Sequence, residues 1–148
     1  MAHEEDEEAQ CEKLEKSFEA EREKWGGMIN PLISKTDSVG ALSEAQVLML
    51  SYRHMLTDLI AKYKNAYNAR LSKDSVFKRI RTAHYKTGVD IRYTDRDIAD
   101  HVAADMALRT RKNGLLKTQY EFLSDMVDTL DKLGYAIRNK IELATRLS

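Results

Sequence analysis

The chain has 148 residues but a single cysteine, Cys11, a single proline, Pro31, and only six glycines. One thiol excludes an intramolecular disulfide framework and a cysteine-based zinc site. So few prolines and glycines leave few turns, and a sheet protein needs many, so the expected class is all-α. No apolar run exceeds four residues (47–50), which excludes a membrane-spanning helix. No glycine-rich phosphate loop, no G-x-G-x-x-G and no G-x-S-x-G occur. Cys11 sits among acids rather than in the electropositive setting that a reactive thiolate needs. An ATPase, a dehydrogenase and a cysteine hydrolase are therefore not expected, and no motif calls for a cofactor. The first residues are acidic where a secretory signal is basic and then apolar. The expected setting is a soluble, reducing compartment, the cytoplasm.

Net charge is also lacking, because 24 Lys and Arg balance 24 Asp and Glu. That zero conceals an asymmetry. Residues 1–24 hold ten acids and four bases, whereas residues 62–96 hold ten bases and three acids. A basic middle of this kind suggests a polyanion as its partner. The plain alternative is a solvated helix face with a solubilising tail.

The pattern along the chain divides it into three parts. Residues 1–25 read as an acidic N-terminal arm or frayed helix, with only Leu14, Phe18 and Trp25 at helical spacing. Residues 26–42 read as a linker, because Gly26, Gly27, Pro31, Gly40 and a Thr-Asp-Ser cluster fall there. Residues 43–148 read as a helical DNA-binding and oligomerisation domain. Ser43 with Gln46 has the form of a capping box. The apolar spacing from Leu48 to Tyr67 continues it, and Asp74 either caps a second helix or lies within one long one. Gly88 is expected to stop that helix with a positive φ. Thr94 with Asp97 marks the next start, and Ala104-Asp105 a possible restart.

The last segment sets Leu108, Leu115, Phe122, Met126, Leu130, Leu133, Ile137 and Ile141 on one apolar stripe, ending at Ala144. A helix over residues 106–147 would be roughly 60 Å long at 1.5 Å per residue. A compact chain of this size has a radius of gyration of only ~15 Å. The helix must then bend back or pack its stripe against other copies, so the stripe is expected to be an oligomerisation surface.

Two constellations remain. Asp97, His101 and Asp105 fall at i, i+4 and i+8, a spacing able to hold a metal ion but far more often a polar helix face, so no metal site is expected. Residues 77–88 interleave Lys78, Arg79, Arg81 and Lys86 with His84 and Tyr85. Cations neutralise phosphates while an aromatic face stacks an unpaired base, so this mixture suits a single strand. Lys62, Lys64, Arg70 and Lys73 extend the basic set upstream.

On these residues the chain resembles a known family. Arg79-x-Arg81 followed by Tyr85-Lys-Thr-Gly88, then Ala104-Asp105, then Leu133-Gly-Tyr-Ala-Ile-Arg-Asn-Lys-Ile141, is similar in order and spacing to the UvsY family of phage recombination mediators. Asp37-Ser38, Glu44-Ala45 and Tyr52 resemble its start, so the likeness covers residues 37–143. The resemblance implies a helical, non-enzymatic protein that binds single-stranded DNA and forms a ring-like homo-oligomer of six or seven subunits. Its partners would be a RecA-like recombinase and the single-strand-binding protein that it helps displace. Arg79 and Arg81 would contact DNA, and an assembly helix would run over about residues 115–147. The alternative is a non-enzymatic helical oligomer acting as a structural or protein-interaction adaptor.

Overall fold

The structure, a computed structural model, describes residues 2–34 and 38–147. It contains three helices, α1 (Ala2–Ser34), α2 (Val39–Thr87) and α3 (Asp95–Leu147), and no strand among the described residues. α3 alone is about 80 Å long at 1.5 Å per residue. It neither bends back nor waits for another copy: α2 runs antiparallel beside it. Arg53 pairs with Asp131 near one end and Arg81 with Asp105 near the other. α1 lies against both and parallel to α3, with a nearly constant offset: Cys11 meets Leu108 and Arg22 meets Gln119, each 97 positions apart. The result is an elongated up-down-up bundle.

The sequence builds this rod by burying residues that recur every seven, a step split in places into three and four. In α1 these are Cys11, Phe18, Trp25, Ile29 and Leu32, in α2 Leu42, Ala45, Met49 and Leu56, and in α3 Leu116, Leu123, Leu130 and Ile137. Burying each Leu or Ile contributes roughly 1.5–3 kcal/mol. Residues 1–25 are therefore no loose arm within the described part, since Cys11, Phe18 and Trp25 are almost fully enclosed. Nor do residues 26–34 form a linker. α1 runs through Gly26, Gly27 and Pro31 to Ser34 because Ile29 and Leu32 continue its buried face. Lys35, Thr36 and Asp37, part of the expected linker and of the family-like start, lie outside the described residues.

α2 begins earlier than the Ser43 pattern suggests. Ser38, with extended backbone, is the cap, and its hydroxyl accepts the Ala41 N–H at 3.1 Å. From there α2 is one helix through Asp74 to Thr87. Gly88 closes it without positive φ (φ −96°), donating its N–H to the His84 carbonyl at 2.8 Å. Glycine is needed there for room, as a Cβ would stand 2.9 Å from that same carbonyl oxygen. Thr94 and Asp97 cap α3 reciprocally, as their spacing indicates, through N–H bonds of 3.2 and 3.3 Å. α3 does not restart at Ala104.

The expected oligomerisation stripe has a different fate. Leu130 and Ile137 are buried in the core of the single chain, and Phe122, Met126, Leu133 and Ile141 pack against that core. Leu108 and Leu115 are half-buried, and the Leu108 carbonyl accepts the Cys11 thiol at 3.9 Å. α1 and α2 cover the stripe, so its apolar face is no argument for assembly. No helix among the described residues is long and apolar enough to cross a membrane.

Candidate nucleic-acid interface

The ten residues proposed for DNA lie on α2, and at 100° per residue they cannot share one face. Three turn inward. Arg70 donates from Nε to Asn113 Oδ1 at 2.9 Å. That amide in turn donates to Asp74, which also holds Arg109 at 3.0 Å, and the Arg109 guanidinium sits 4.0 Å from the Phe77 ring centre. Asp74 and Asn113 are buried, so this layer ties α2 to α3 in one register. It also explains why Asp74 starts no helix: its carboxylate is used across the bundle.

Arg81 and Tyr85 form the second inward set. Both donate to Asp105 Oδ2, Arg81 Nε at 2.8 Å and the Tyr85 hydroxyl at 2.7 Å. Burial by itself would push the Asp105 carboxyl up, but these two hydrogen bonds outweigh it and hold it below the ordinary carboxylate range. The Tyr85 ring is stacked on His101 at 5.0 Å between centroids, with His84 and Tyr93 edge-on. Tyr85 is thus no open stacking platform, and Arg81 is no open cation. The same contacts dispose of the metal triad. Asp97 caps α3, His101 lies on Tyr85 and Asp105 holds Arg81, and no three such groups among the described residues could grip a metal ion.

Lys62, Lys64, Lys73, Lys78, Arg79, His84 and Lys86 remain exposed. Lys78 and Lys86 line the open side of the α2–α3 hairpin. Lys64 stands 5.6 Å over the ring of Tyr120. Among the described residues no carboxylate forms an ion pair with Lys78, Arg79 or Lys86. The electrostatic surroundings nevertheless differ from those the sequence suggested. Because α1 runs antiparallel to α2, its acidic first turns stand beside the basic stretch, and Glu4, Glu7 and Glu8 share a cleft with Phe77 and Arg81. Among the described residues, Arg81 is the one cation of the stretch that lines this cleft, and its ion pair is with Asp105 rather than with the acids of α1.

A second polar layer went unnoticed in the sequence. Gln119 is fully buried, accepts Arg22 at 2.8 Å and donates to Glu21 at 2.8 Å, while Tyr63 donates to the other Glu21 oxygen. Burial, then the Glu21 carboxylate, pushes the Tyr63 phenol well above its usual value. This layer joins all three helices. The available signal was position: Gln119 and Asn113 fall on the buried side of an otherwise apolar series.

No family model matches the chain, and no curated protein or solved structure matches it either.

Proposed function

We propose that the chain is a non-enzymatic recombination mediator that binds single-stranded DNA. It would help a RecA-like recombinase onto strands coated by single-strand-binding protein, in recombination, repair and recombination-dependent replication. The observation that carries this reading is the exposed trio Lys78, Arg79 and Lys86, free of ion pairs among the described residues and within the family-like segment. Phosphates seek such cations, and the binding they give is independent of sequence. The ring-like oligomer of the resemblance would have to form through apolar residues the bundle leaves outside, such as Leu50, Tyr135 and Leu143, rather than through the covered stripe.

The adaptor reading is favoured by one observation, the acidic turns of α1 lying beside the basic stretch. A salt titration separates the two. Lys78→Ala with Arg79→Ala and Lys86→Ala should weaken binding to all single strands alike. The slope of log affinity against log salt should shrink by about 0.7 for each phosphate that is no longer neutralised. Arg81 is left alone, since its loss would disturb Asp105 and the packing of α2 on α3. Unchanged affinity and slope would leave the adaptor reading standing.

A further inference from the structure

Between residues 77 and 110 the α2–α3 hairpin presents two flanks. One receives the first turns of α1, an acidic helix whose Glu4, Glu7 and Glu8 face Phe77, Arg81, Ala104 and Leu108. The other is an open groove of about 710 Å³. Its α3 wall is a row of exposed methyls, Ala99, Ala103 and Ala107, over a floor containing the buried Val102, with one carboxylate, Asp95, at the hairpin end, so the two lysines leave the groove a net excess of positive charge. Its α2 wall is Lys78 and Lys86 with Thr82 between them, and the Thr82 hydroxyl is already bonded to the Lys78 carbonyl.

Shape and charge together select the occupant. A straight trough beside alanines four apart lets another helix approach closely, because that spacing forms the groove into which a helix ridge packs. The α3 wall from residue 95 to residue 110 is about 22 Å long, room for a helix of about fifteen residues. The two lysines stand eight residues apart, about 12 Å along α2, and their aliphatic stems extend the apolar wall while their ammonium groups stay at the rim. They call for carboxylates two turns apart. The same hairpin segment already accepts an acidic helix on its opposite flank.

We propose that this groove docks an acidic amphipathic helix of a partner protein. The proposal goes beyond DNA binding and does not depend on it. Lys78 and Lys86 would serve both ligands, so an acidic helix and a single strand should displace one another.

The probe is a fluorescent synthetic helix of about fifteen residues, with an alanine and leucine face and glutamates two turns apart, titrated with the full chain. Ala103→Trp fills the groove at an exposed position without touching a cation. It should weaken peptide binding roughly tenfold or more while single-strand affinity stays unchanged. Lys78→Glu with Lys86→Glu should reject the glutamate peptide and accept its lysine counterpart. Three results would each overturn the proposal. The first is peptide affinity indifferent to Ala103→Trp. The second is no peptide binding where an oligonucleotide binds, which would assign the lysines to nucleic acid alone. The third is concentration-dependent growth in mass that Ala103→Trp abolishes, which would seat a second copy in the groove.

Discussion

The two halves of the bundle follow one packing period but fill it with opposite chemistry. Toward the end where α1 gives way to α2, Trp25, Ile29, Leu32, Leu42, Met49, Leu56, Leu130 and Ile137 form a wholly apolar cluster. Toward the α2–α3 hairpin, Ile98 and Val102 are still buried, but inward positions also carry Arg70, Asp74, Arg81, Asp105, Arg109 and Asn113. Apolar layers are cohesive but tolerant of sliding, because one leucine contact resembles the next. Polar layers are satisfied in one register only, which is their best-attested use in helical bundles. The first half supplies stability, and the second supplies alignment at the end where the exposed cations sit.

If that division holds, the largest loss should come from the apolar half. Trp25→Ala removes a side chain that is 1% exposed and should lower stability by about 3–5 kcal/mol, read as a shift in the urea midpoint. A loss under about 1 kcal/mol would mean that α1 is not part of the cooperative core.

Breaking a polar layer should cost less. Asp74→Ala strands Asn113 and Arg109, and since the Arg109 side chain is 37% exposed the loss should fall at the low end, about 2–3 kcal/mol. Replacing the whole set, Arg70, Asp74, Arg109 and Asn113, by apolar residues of similar size should recover most of it, while single, sharp amide resonances give way to broadened or doubled ones as the α2–α3 register relaxes. Sharp single resonances in that variant would show that the apolar half alone sets register.

The Asp105 cluster gives a smaller, pH-dependent effect. Its carboxyl is held below the ordinary value, so the folded chain binds fewer protons than the unfolded one between the two values. The stability it contributes is complete above a pH of about 4 and is lost as acid passes the folded value. Asp105→Asn should therefore flatten the acid limb of the stability curve, the two proteins converging in acid. Parallel curves would sink the argument.

The smallest effect has the opposite sign. Gly27 is exposed inside α1, and a Cβ there meets nothing within 4 Å. Gly27→Ala should stabilise by about 0.5–1 kcal/mol, measured against Gly134→Ala, where the Met49 methyl lies 3.1 Å from the new carbon and cancels part of the gain.

Legibility in the sequence tracked distance along the chain. The Thr94–Asp97 cap was readable because its partners are three residues apart. Ser38 and Ser43 both make acceptable caps locally, and the burial of Leu42 and Ala45 against the other helices favours the earlier one. The buried face of α1 was masked by the charges around Cys11, Phe18 and Trp25. Arg81 and Tyr85 were assigned to DNA because their partner, Asp105, is at least twenty positions away. Gln119 and Asn113 went unremarked because a polar residue on an inward position announces itself only once the neighbouring helix is in place.

Helical state, the absence among the described residues of a helix long and apolar enough to cross a membrane, and the start of α3 were properties of the sequence by itself, since each rests on composition or on contacts within a few residues. Tertiary structure alone decided what the apolar stripe of α3 packs against and which cations stay open. It also decided that the acidic and basic stretches lie side by side. A periodic apolar face states that it must be covered, but not by what. The partner is chosen between residues such as Cys11 and Leu108, 97 positions apart, where no local pattern reaches.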